Sequence, residues 1–328
     1  MPIRLMLIKR AACAGLVASL LVVGSGCGSD PSSPSTTNPD YEFALAWGET
    51  GSGDGQFAFH DGPAAAGVAV DADGNVYVAD WMNHRVQVFT PEGVFLRKWG
   101  TQGSANGQMF GPIGIAIGPG GDVFVAESGN HRVQRFSSLG AWEATWGGHG
   151  STDGLFQNPN GIAVTAAGDV YVADTFNHRV QQFDVDGNFV RTWGTNGTAD
   201  GQFNLAYDVA ISPAGKVWVT DSGNHRLQVF SATGEHEATY GSQGTGSGRF
   251  NAPIGVECDA DGNAFVADLN NHRVQKLGPA GAFICKWGSF GTGDGQFRGP
   301  YALAVDSQGS VYVADTNNNR IQKFRPAD

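Results

Sequence analysis

Long apolar runs, cysteine and positive charge are all in short supply in this chain. The apolar stretch near the N-terminus, Ala11 to Val23, is 13 residues, against the ~20 that a membrane-spanning helix requires. A permanent transmembrane anchor is therefore the weaker reading of that stretch. Of four cysteines, Cys13 and Cys27 lie in the N-terminal segment, leaving only Cys258 and Cys285. With Arg4, Lys9 and Arg10 set aside with that segment, 17 basic side chains face 31 acidic ones, a net charge of −14. That balance argues against phosphate backbones and anionic membrane surfaces as partners, so no nucleic acid is expected. What the chain does have is 41% apolar residues against 16% charged ones, which excludes a disordered or collagen-like protein. Its 49 glycines, about twice the usual share, are spread along the chain and imply many tight turns between many short strands.

Arg4, Lys9 and Arg10 followed by Ala11 to Val23 and then by Gly24-Ser25-Gly26 have the three-part layout of a signal peptide over 1–26. Small residues directly before Cys27 resemble the lipobox of bacterial lipoproteins, in which that cysteine becomes the lipidated N-terminus. Gly24 stands where the family usually has Leu, so cleavage to a soluble secreted form stays open. Residues 27–40 form a Pro/Ser/Thr tract with no apolar side chain to bury beyond Cys27, and read as a tether. The resemblance implies an exported protein on the bacterial cell envelope, touching the membrane only through its N-terminal lipid.

From residue 41 to the end the chain repeats. VYVAD-x-x-NHRVQ-x-F begins at Val76 and recurs from Val123, Val170, Val217, Ala264 and Val311, each 47 residues after the last. An aromatic-Gly marker at Trp99, Trp146, Trp193, Tyr240 and Trp287 keeps the same period, with an extra copy at Trp47. Each unit reads as four strands; in the second they are Ile113 to Ile117, Val123 to Ala126, His131 to Phe136 and Trp142 to Trp146. Most strands are apolar on both faces, which demands cover on both sides, and a ring of four-stranded blades supplies it. The last unit stops after three strands, whereas Phe43 to Trp47 is a fourth strand with no unit ahead of it. The predicted fold is all-β: a six-bladed β-propeller of four-stranded antiparallel blades, residues 41–328, closed by the N-terminal strand completing the last blade. Cys258 and Cys285 then fall on the innermost and outermost strands of one blade, beyond disulfide reach.

Asn83-His84-Arg85 and its copies at 130, 177, 224 and 271, with Asn318-Asn319-Arg320 as a variant sixth, are similar to the hallmark of NHL-repeat six-bladed propellers. That resemblance implies the fold and leaves function open, because the family includes enzymes, sensors and RNA-binding proteins. The recurring Asp80/Arg85 pair and its counterparts read as one turn contact made six times, and the five histidines as packing residues too far apart to share a metal. The Asp71, Asp184 and Asp259 tracts imitate the opening of a calcium loop but carry Met82, Thr195 and Asn270 where a bidentate Glu is needed; they read as hairpin turns.

If repetition marks scaffold, departures from it mark function. At the start of the innermost strands the repeat is broken by Asn160, Tyr207, Asp208 and Tyr301, a candidate binding site at the channel mouth. In the loops before the NHR copies it is broken by Trp81, Met82, Phe176 and Leu269, a candidate contact patch. The amidating lyases that resemble this fold hold zinc with histidines at the strand-start positions, and none of the six here is His. Nucleophile elbow, paired carboxylate site and HExxH are all missing from the sequence. No catalytic residue, metal or cofactor is therefore expected. The expectation is a binding scaffold for a protein or a cell-envelope glycan, with a lyase or hydrolase at the channel mouth as the alternative.

Overall fold

A computed structural model describes residues 40–59 and 66–327. The signal peptide, Cys27, the tether up to residue 39 and His60 lie outside the described residues. Within them the chain forms six four-stranded antiparallel sheets. Blade 1 consists of Val68–Val70, Val76–Asp80, Arg85–Phe89 and Phe95–Trp99. Blades 2 to 5 repeat that order over 112–147, 159–193, 206–240 and 253–287. Blade 6 takes Pro300–Val305, Val311–Asp315 and Arg320–Pro326 from the C-terminus, and Tyr41–Trp47 from the N-terminus as its outer edge. The closing pair runs antiparallel from Tyr41↔Pro326 to Trp47↔Ile321, with one register shift between Phe43 and Leu45, so main-chain hydrogen bonds seal the circle and protect the edge of Arg320–Pro326.

In blade 1 the middle strands are buried along their whole length, whereas the outer strand Phe95–Trp99 alternates between half-buried and exposed. There is consequently no single core. Six apolar clusters lie between successive blades, as where Tyr77, Val86 and Val88 of blade 1 meet Ile115, Val123 and Phe136 of blade 2. Five rings of the aromatic-Gly marker, Trp47, Trp99, Trp146, Trp193 and Tyr240, cover the hairpin glycine of the following blade: a Cβ on Gly140 would come within 2.5 Å of the Trp99 ring. Gly140 also has φ of 87°, so both backbone conformation and the close ring require glycine there. At the seam Tyr41 stacks on Trp287 with ring centroids 4.6 Å apart.

The Asp71 tract is a hairpin turn. Asp71 Oδ1 accepts the N–H groups of Asp73 and Asn75, and Gly74 adopts φ of 84°. Cys258 and Cys285 form no disulfide, on the first and fourth strands of blade 5. Strand boundaries differ from those expected by one or two residues, and at the third strand the difference has a conformational cause. His131 is not the first residue of its strand but a left-handed residue, φ 53°, that ends the preceding turn. The same holds for the other four histidines and for Asn319, φ 50°, and asparagine is among the residues that tolerate this region best.

Candidate functional site

The repeated polar residues build the frame around any site. Asp80 is fully buried, and its Oδ2 accepts from Arg85 Nε at 2.8 Å, Asn83 Nδ2 at 2.9 Å and Gln87 Nε2 at 3.1 Å. Its Oδ1 accepts the Ala58 N–H at 3.0 Å. Arg85 then donates to the carbonyls of Ser52, Gly53 and Gln56, pinning the loop that enters the blade. Glu127, longer by one methylene, makes the same set of contacts in blade 2. This is the repeated turn contact expected from the sequence.

The histidines do more than pack. Nδ1 of His84, His131, His178, His225 and His272 accepts a backbone N–H from the next blade, from Gly111, Asn158, Leu205, Ala252 and Gly299 respectively. In the sixth unit Asn319 Oδ1 takes the Phe59 N–H at 2.8 Å. Each NHR turn thus joins two blades, and Asn replaces His because its amide oxygen reaches the same donor. His225→Asn should change stability by only about 0.5 kcal/mol, whereas His225→Leu should cost about 1–3 kcal/mol by leaving the Ala252 N–H without its acceptor. Urea unfolding midpoints check this; equal losses would refute it. Burial lowers the pKa values of His84, His131 and His272.

The six innermost strands approach one another closely around the axis. A Cβ on Gly67 or Gly114 would lie 2.0 Å from the carbonyl oxygen of Ile113 or Asn160 on the next strand. At this mouth Ile113, Ile254 and Tyr301 form a buried cluster, with Tyr207, Trp81 and Leu269 packed against it. Tyr207 and Tyr301 meet edge to face at 6.3 Å, and the Tyr301 hydroxyl is 3.4 Å from Asn160 Oδ1. Asn160 Nδ2 is spent on Thr175 Oγ1 at 2.8 Å and the Asn158 carbonyl at 3.1 Å. Three of the four channel-mouth residues, Asn160, Tyr207 and Tyr301, are thereby brought together as a plug. The cavity beneath them is about 40 Å³, room for a water and far below the ~300 Å³ at which small-molecule sites begin.

Asp208 lies on the channel side of the plug. Its Oδ1 accepts the Val209 N–H at 2.9 Å and its Oδ2 the Val256 N–H at 3.0 Å. Burial raises its pKa to about 7 against these two hydrogen bonds, which lower it. Lining the same cavity is Glu257, a residue the sequence reading passed over. Its carboxyl is also pushed up to about 7, by burial first and then by the Asp208 charge, while the Cys258 N–H at 2.9 Å opposes the shift. The signal was present: Ala69, Ala116, Ala163, Ala210 and Ala304 occupy the equivalent position of every other blade. Among the described residues, no three His, Cys, Asp or Glu side chains come together to hold a metal ion.

A carboxyl whose pKa is higher folded than unfolded stabilises the fold below its ordinary value, and loses that contribution as pH rises through the folded value. For Asp208 and Glu257 the window runs from about 4 to about 7. Glu257→Gln should gain about 1–3 kcal/mol relative to the parent at pH 8 and little at pH 4, and Asp208→Asn should follow the same pH dependence from a lower baseline, because its amide keeps an oxygen for only one of the two main-chain N–H groups. Denaturant titrations at the two pH values test this, and a gain that does not depend on pH would contradict it.

The loop residues divide into two groups. Trp81 and Leu269 turn to the plug, Trp81 placing its Nε1 3.4 Å from Ser128 Oγ. Met82 and Phe176 stand out at 41% and 47% exposure, joined by Phe110 at 43% and Phe290 at 64% from the blade-to-blade loops. Phe110 and Phe290 rest on His84 and His272 with centroids 5.2 and 5.0 Å apart. Neither is a break in the loops before the NHR copies, since both lie in the loops between blades.

The chain is an NHL-repeat six-bladed β-propeller. The NHL repeat model matches five of its units, at residues 65–89, 111–136, 156–183, 203–230 and 297–324. No curated protein matches the chain. Among solved structures it is similar to a streptogramin B lyase, at 15% identity and a TM-score of 0.59 over 80% of this chain and 93% of that one. A nidogen/laminin complex is similar at 16% identity and TM-score 0.54, over 74% of this chain and 84% of that one. An auxiliary nutrient binding protein from Bacteroides thetaiotaomicron matches at 16% identity and TM-score 0.59, over 79% of this chain and 68% of that one. These identities establish a shared fold. Both binding proteins and an enzyme use it.

Proposed function

We propose that the protein is an exported propeller, lipid-anchored through Cys27 and held off the membrane by residues 28–40, that acts as a binding scaffold for another protein of the cell envelope. The observation that carries this reading is the character of the NHR face. Its channel mouth is filled by the plug, and around it Met82, Phe110, Phe176 and Phe290 are exposed on loops, held by the Asp–Arg clamps of the repeats. Large apolar side chains on stiff loops lose little freedom on binding and suit a protein contact. The nidogen/laminin and nutrient-binding neighbours show the fold in binding roles.

A lyase or hydrolase at the channel mouth is the second reading, and the half-buried Asp208 carboxyl favours it, since a group near 7 suits acid–base work. The volume of about 40 Å³ beside it weighs against any substrate larger than water. The triple variant Met82→Ser, Phe176→Ser, Phe290→Ser should fold normally and lose the envelope proteins that the parent retains in a pull-down. Unchanged capture would refute the face, and binding of purified envelope glycan by the parent in their place would assign the face to glycan.

A further inference from the structure

Beyond the NHR face, the opposite end of the channel has its own cavity, of about 190 Å³. Apart from one residue its lining side chains, at the ends of the innermost strands, are Ala, Val and Ile, with Ala116, Ile117, Ala163 and Val164 among them, while polar atoms make up most of the surface it exposes. The single charged residue lining it is Glu257, which also lines the smaller cavity under the plug and therefore stands at the junction of the two. We propose that this end of the channel is a binding site for a small unbranched organic ammonium ion, with Glu257 as its counter-ion.

Three observations point to that chemistry. The first is the break in the ring: five blades place alanine at this level and one places glutamate, so a single blade adds one negative charge that the repeat does not require. Secondly, among the described residues no Lys, Arg or His forms an ion pair with Glu257; Oε1 accepts only the adjacent Cys258 N–H. A carboxylate withdrawn from water gains most from a cation brought to it. Finally, the walls select the kind of cation. Divalent metals are held by several charged oxygens, of which this lining offers the one carboxyl of Glu257, whereas an ammonium needs a single counter-ion and its methylene groups are stabilised against Ala, Ile and Val. At ~30 Å³ per water-sized group, the cavity has room for about six such groups, which corresponds to an ammonium on a short alkyl chain. Asp208 deepens the negative potential, but both its oxygens are already held by main-chain N–H groups.

The test is a calorimetric titration of the purified full-length protein with n-butylammonium chloride at constant ionic strength. Saturable binding with a dissociation constant of about 1 mM or tighter is expected. Glu257→Ala, which installs the residue of the other five blades, and Glu257→Gln should each weaken binding at least tenfold, while Asp208→Asn should retain it within about threefold. The groups titrating nearby are Asp208 on the neighbouring innermost strand and, on Glu257's own strand, Cys258, whose thiol is pushed well up and stays neutral. Ionisation of Glu257 should therefore make binding about tenfold tighter at pH 8 than at pH 6. Nα-acetyl-lysine methylamide distinguishes the source of the ammonium: binding comparable to n-butylammonium indicates a lysine side chain of a partner, and binding of n-butylammonium alone indicates a free amine. No saturable binding, equal binding to either Glu257 variant, or equal binding of 1-butanol would overturn the proposal.

Discussion

A protein lacking residues 1–47 should be unable to hold the closed ring, whereas one lacking residues 1–40 should fold as the parent does. Tyr41–Trp47 supplies the outer strand of blade 6. Its aromatic residues join both flanking interfaces: Tyr41 stacks on Trp287 of blade 5, Phe43 packs on Phe324 at 6.1 Å, and Trp47 meets Phe89 of blade 1 at 5.8 Å and Tyr312 at 6.3 Å. Burying an aromatic side chain removes about 150–250 Å² from water, so at ~25 cal/mol per Å² three of them contribute on the order of 10 kcal/mol. That is comparable with the whole stability of a typical domain, about 5–15 kcal/mol. The shorter chain also exposes the edge of Arg320–Pro326, which invites pairing between molecules. Size-exclusion chromatography and thermal melts should show aggregates or a non-cooperative transition; a monomer with the parent's melting temperature would contradict the account.

Asp174→Ala should cost about 3–5 kcal/mol, the usual penalty for removing one partner of a buried ion pair. Asp174 is fully buried and Arg179 is 8% exposed. Without the carboxylate, the Arg179 guanidinium and the Gln157 N–H, now 2.7 Å from Asp174 oxygens, lose their partner together with the Asn177 and Gln181 amides. Asp174→Glu should be tolerated within about 1 kcal/mol, because Glu127 already performs the same task in blade 2. A small shift in urea midpoint for the alanine variant would mean that the pair is dispensable. An equal loss for the glutamate variant would mean that geometry, and not charge, is decisive.

Read along the chain, the repeat was enough for the number of blades, their strands, the closing strand, the hairpin turns and the structural role of the Asp–Arg pair. All of these depend on residues within one unit or on the count of units, and a period of 47 residues states both directly. Even the broken ring positions Asn160, Tyr207, Asp208 and Tyr301 were legible as departures. Their sorting into a plug and a carboxylate beneath it was not.

Only the tertiary structure decided which departures share a space. Glu257 faces the lumen beside Asp208, 49 positions earlier in the chain, because six strands converge on one axis. Trp81 and Leu269 turn to the channel while Met82 and Phe176 turn outward. Each histidine finds its donor 27 residues later, on another blade. Local spacing dictates how one blade folds; the angle at which blades pack, and hence what meets across the axis, is a property of the closed ring and has no period in the chain.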